Sequence, residues 1–131
     1  MNKLDHFIER TKAYVVTDVE ERLLREKYKH VVIPCMNKIE EGLKSVDGYD
    51  YHINVGELIS KLRIHDKTLI IKIDSVKNCI QVNIDSKEEY STKDTIVLKE
   101  GDLYSTNRGE AFTEDILVEY LNETFESIIG Q

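Results

Sequence analysis

The stretch LIIKIDSVKNCIQVNI (residues 69–84) decides the fold. Leu69, Ile71 and Ile73 alternate with other positions, Ser75-Val76-Lys77-Asn78 offers a turn, and Ile80, Val82 and Ile84 alternate again on the return. A period of two puts each apolar triplet on one side of a strand, so the stretch reads as an antiparallel hairpin with one buried face. Downstream, a polar loop from Ser86 to Lys93 precedes a strand at about 94–99. Glu100-Gly101-Asp102 then turns the chain into a strand over Leu103–Thr106, and Asn107-Arg108-Gly109 closes it with turn chemistry. The expected sheet has four antiparallel strands in two hairpins.

Upstream, the period changes to that of a helix. Leu4, Phe7 and Ile8 begin an apolar stripe, and Thr17-x-x-Glu20 has the spacing of a capping box that would open a second helix. From there Leu24, Tyr28, Val31, Cys35, Ile39, Leu43 and Val46 recur at steps of three and four. Pro34 removes a backbone donor and crowds the carbonyl of His30, which predicts a helical arm over 1–46, kinked near Ile33, arranged as a helical hairpin. Asp47-Gly48 is a stop. Asn54-x-x-Glu57 with Val55, Leu58, Ile59 and Leu62 predicts a short helix at about 55–63, with a strand over 58–64 as the alternative. At the other end Thr113 is an N-cap, Glu114 and Asp115 suit the positive end of a helix dipole, and Gly130 suits its stop. Ile116, Leu117, Tyr120, Leu121 and Ile128 share one arc, so residues 113–129 read as an amphipathic helix. The whole is an α+β chain whose 131 residues fit one domain, with a mostly antiparallel sheet over 49–106 between the helical parts.

Charge is the least random feature. The net charge is −7, and residues 1–48 and 49–99 each balance to zero (nine acids and nine bases, then eight and eight). Residues 100–131 hold eight acids against Arg108 alone. On the helical wheel Asp115, Glu119, Asn122, Glu123 and Glu126 form one arc opposite the apolar one. Asp115/Glu119 and Glu119/Glu123 are like-charged pairs at i,i+4, which no base on that helix relieves. The arc is a solvated face or a docking surface for a basic protein partner. Beside it Val118, Phe125 and Ile129 widen the apolar stripe toward a dimer contact, unless the N-terminal helix covers them. Arg108 pairs locally or grips an anionic ligand.

These features favour a non-enzymatic binding, inhibitory or regulatory protein, with no cofactor and no metal expected. In size and acidity the chain resembles bacterial immunity proteins and phage anti-defence proteins, a resemblance of kind. Scarce alanine (Ala13 and Ala111) beside abundant isoleucine suits coding by an AT-rich bacterium or phage. One alternative is a small-ligand site between sheet and helices, reached by Tyr104, Arg108 and Asp74. A remoter one is a metal-dependent nuclease in which Asp74 and Asp85-x-Lys87 hold Mg²⁺ and position water. No basic stripe alternates with aromatics, so direct nucleic-acid binding is not expected. His6, His30, His52 and His65 show no ligand spacing. No apolar run approaches the ~20 residues of a membrane helix, and no secretory signal is seen. Cys35 and Cys79 make no metal spacing and read as buried thiols in a reducing compartment, the cytoplasm.

Overall fold

The computed structural model describes residues 2–46, 48 and 50–130, apart from the side chains of residues 16–18. Two helices, α1 (Lys3–Lys44) and α2 (Glu114–Ile129), enclose the strands in sequence. The strands are β1 (Tyr51–Val55), β2 (Ile59–Ile64), β3 (Lys67–Asp74), β4 (Cys79–Ser86), β5 (Tyr90–Lys99), β6 (Asp102–Ser105) and β7 (Glu110–Ala111). They form one sheet in which spatial order follows chain order and every neighbouring pair is antiparallel. The α+β class stands, but the sheet has seven strands rather than four.

Each departure from the expectation has a local cause. The segment expected as a short helix at 55–63, with a strand over 58–64 as the alternative, is the turn and second strand of a hairpin, so the alternative holds. Its period is two, because Ser60 and Leu62 are buried while Ile59 and Lys61 point away. Gly56 makes the tight turn: a Cβ there would sit 2.8 Å from the carbonyl oxygen of Ile59. The polar stretch expected as a loop through Lys93 is a loop only over 87–89; from Tyr90 it is the start of β5, with the strand formers Tyr90 and Thr92. A β-bulge hides it from a period-two reading: Val82 pairs with Asp94 and Asn83 with Thr92, so Lys93 is the extra residue. Glu100 and Gly101, both at positive φ, close the two-residue turn between Lys99 and Asp102.

The N-terminal segment is one continuous helix, not a hairpin of two. Its N-cap is Asn2, whose Oδ1 accepts from Asp5 N at 2.8 Å, and Ser45 caps its end. The capping pattern at Thr17 starts nothing, since the backbone is helical on both sides of it; the Thr17 side chain and Asp47 lie outside the described residues. Pro34 stands inside the helix and does not interrupt its buried face, which runs through Leu24, Tyr28, Val32, Cys35 and Met36. Those side chains pack with Leu69, Ile71, Ile80, Val82 and Ile96 of the sheet and with Ile116, Leu117, Tyr120 and Phe125 of α2. Both helices therefore cover the same face. The Tyr28 hydroxyl donates to the Ile71 carbonyl (3.1 Å) and lies 2.7 Å from Ser60 Oγ, pinning α1 across β2 and β3. Burial pushes its pKa up to about 12.

Cys35 and Cys79 are both free and buried. Cys35 belongs to the core between helix and sheet, whereas Cys79 precedes the core residue Ile80 in β4 and so faces the other way. Burial raises the pKa of both thiols.

Candidate functional site

The predicted acidic arc meets its counter-charges across the fold. α2 starts at Thr113, which accepts from Ile116 N, and lays Tyr120 against β5 and β6. The bulge sends two successive residues of β5, Lys93 and Asp94, to this same side. Asp94 is 2% exposed, and its carboxylate accepts from Ser105 Oγ (2.5 Å), Tyr120 OH (2.6 Å) and the backbone N–H of Asn107 (3.0 Å). Ser105 Oγ in turn accepts from Arg108 N at 3.0 Å, which fixes the β6–β7 turn. From that turn Arg108 reaches Glu119 Oε2 (2.8 Å) and Glu123 Oε1 (2.9 Å), with its guanidinium carbon 4.9 Å from the centre of the Tyr120 ring. Lys93 adds a 2.7 Å bridge to Glu123 Oε2. Lys93 holds the Glu123 carboxyl below the ordinary carboxylate range, with Arg108 contributing less.

Two of the four acids in the arc are thus answered by bases from the sheet. Asp115 and Glu126 remain exposed with Asn122. Arg108 pairs locally, one of the two roles expected of it. Of the trio expected to extend the apolar flank, Val118 and Ile129 are exposed, but Phe125 is 1% exposed and sits in the core. The arrangement is a lock that fastens α2 to the sheet. The sequence holds no signal for it beyond the isolated Arg108, since the bulge that aligns Lys93 with Asp94 leaves no periodic trace.

The other candidate residues are not brought together. Leu103 and Ser105 face the helices, so Tyr104 between them lies on the opposite face, where Lys99 Nζ stands 4.3 Å from its ring centre. It does not line a site between sheet and helices with Arg108. Asp74 caps the β3–β4 turn by accepting from Val76 N and Lys77 N at 3.0 and 3.1 Å. Asp85 is at the far end of the same hairpin, paired with Thr68, about 20 Å along the strand at 3.3 Å per residue. Two carboxylates so placed cannot share a metal ion, and among the described residues no group of three or more His, Cys, Asp or Glu side chains is positioned for one.

An uncommitted apolar surface lies elsewhere. From Asn2 to Glu20 every residue of α1 whose side chain is described is exposed, and burial begins only with Glu21 and Leu23. This half of the helix leaves the sheet as an arm about 27 Å long, at 1.5 Å per residue. It is not polar all round: Leu4, Phe7, Ile8, Tyr14, Val15 and Val19 are exposed on it, at 39% to 72% of their surface. Phe7, Ile8, Thr11, Lys12 and Val15 line a shallow, mostly apolar groove. At about 100° per residue this stripe points roughly 100° around the axis from the face buried by Leu24 to Leu43, so it is a separate face rather than frayed core. The sequence carries the signal in Leu4, Phe7 and Ile8, which begin an apolar stripe there. Among the described residues no helix is long and apolar enough to cross a membrane.

Residues 4–129 match the family described as "Protein of unknown function (DUF3942)", and the chain belongs to that family. No curated protein and no solved structure matches it.

Proposed function

We propose that this chain is a non-enzymatic binding protein that acts by protein–protein contact, and that its contact surface is the arm of α1. The observation that carries the reading is the apolar stripe from Leu4 to Val19, exposed on a helix that continues into the core at Leu24. An isolated helix of this length is marginal in water, and its apolar face gains stability only when something covers it. Its uncovered side chains amount to on the order of 600 Å², at the top of the range for a single apolar patch on a monomer. Occluding or regulating a protein partner is the role such an arm suits. The two free, buried thiols suit a reducing compartment, and we place the protein in the cytoplasm.

The test is affinity capture with the full chain and with a Phe7→Asp/Val15→Asp variant as baits. Proteins retained by the first and lost by the second, a second copy included, support the reading; identical sets on both baits refute it. A second reading keeps part of the acidic face. Asp115, Asn122 and Glu126 remain as a narrower strip for a basic partner, because Glu119 and Glu123 are already engaged by Arg108 and Lys93. An Asp115→Lys/Glu126→Lys bait that loses a basic protein retained by the arm variant favours that strip.

A further inference from the structure

We infer that the arm is covered by the arm of a second copy of this chain, the two lying antiparallel about a two-fold axis near Thr11. The inference rests on the reading of the arm as a contact surface and names its occupant. Three observations carry it.

The first is the symmetry of the stripe. Leu4 and Ile8 are spaced by four residues, as are Val15 and Val19, with Thr11 between the pairs. Turning the stripe end for end lays Leu4 against Val19 and Ile8 against Val15. A two-fold interface requires such self-complementarity, because each residue meets its opposite number twice. Phe7 and Tyr14 lie on one flank of the stripe, and antiparallel helices bring like flanks together, so aromatic faces aromatic.

The second is charge. Lys3 stands at the tip of the arm and Glu20 at its root, and they are of opposite sign. About the axis near Thr11 an antiparallel pair sets Lys3 of each arm opposite Glu20 of its partner. A parallel pair would set root against root and crowd the two sheets at the same end.

The third is area. Doubling the exposed side-chain surface of one arm gives on the order of 1,200 Å², the lower bound for a specific interface between two proteins. Neither arm alone has a way to cover it.

Sedimentation velocity of the purified chain tests the pairing. The expected result is a species of twice 15.2 kDa that dissociates on dilution. An Ile8→Glu/Val15→Glu variant should sediment as a monomer while its near-ultraviolet circular dichroism, set by the buried Tyr28 and Tyr120, stays native. A wild-type chain that remains monomeric at about 100 μM overturns the inference and leaves the arm's role as a contact surface to the capture experiment. Orientation is read by oxidising a mixture of Ile8→Cys and Val15→Cys chains, the native cysteines being buried. Crossed 8–15 disulfides are expected; 8–8 and 15–15 disulfides overturn the antiparallel arrangement.

Discussion

Replacing Tyr120 by Phe removes one hydroxyl and almost no volume, which makes it the cleanest probe of the lock between α2 and the sheet. That hydroxyl donates at 2.6 Å to Asp94, a carboxylate that is 2% exposed and has two other donors among the described residues, Ser105 Oγ and Asn107 N. A hydrogen bond to a buried charged group contributes about 1.5–3 kcal/mol net, so the substitution should cost about 2 kcal/mol. With an unfolding entropy of about 2.1 cal/mol/K per residue, a chain of this length should lose about 7 °C in Tm. Asp94→Asn keeps the shape but removes the charge and turns amide protons toward existing donors, for about 3 kcal/mol. The double variant should cost less than the sum of the two, because both single changes break the same bond. Urea unfolding at unchanged m value measures all three. A cost below about 0.5 kcal/mol for Tyr120→Phe, or strict additivity in the cycle, would refute the lock.

Gly56→Ala should destabilise the β1–β2 hairpin by about 1–3 kcal/mol, since its Cβ would meet the Ile59 carbonyl oxygen at 2.8 Å; a neutral result by urea titration would reopen the assignment of that turn. Because Lys93 and Arg108 depress the pKa of Glu123, the stability it contributes is present above the ordinary glutamate range and is lost as pH falls through its lowered value. Glu123→Gln should therefore flatten the acid limb of the stability–pH curve, and an unchanged limb would count against the bridge. The Tyr28 phenol ionises only at about pH 12, so folded stability should decline between pH 10 and 12, and Tyr28→Phe should remove that late component from an absorbance titration. Both Cys35 and Cys79 should stay unmodified by a thiol reagent until the chain unfolds; rapid labelling of either in the native protein would contradict its burial.

How much of this was legible depended on whether a segment's partner lay close in the chain. The β3–β4 hairpin could be read from residues 69–84 because its alternation is unbroken and its turn is local. α2 was equally clear, with Thr113 and Gly130 marking its ends. In the β1–β2 hairpin the helical reading competes with the strand over 58–64 because Val55, Leu58, Ile59 and Leu62 mimic a helical face across a turn, and only tertiary pairing shows Ile59 pointing outward and decides for the strand. The bulge at Lys93 erased the period of β5, and with it the sign that Lys93 and Asp94 would both meet α2. Thr17-x-x-Glu20 had the spacing of a cap, but a helix already running from Asn2 had no reason to restart there. The arm was visible as an apolar stripe. Its exposure was not, because the sequence does not state that the sheet ends beneath Leu24.

Hydrogen exchange of α1 at two protein concentrations tests the central claim most directly. An uncovered arm of this length frays and exchanges quickly, whereas one paired through its apolar stripe is protected. The account predicts that amides of residues 4–20 are protected at high concentration and lose that protection on dilution, while those of 28–36, packed on the sheet, do not change. Protection of the arm that is the same at both concentrations would contradict it.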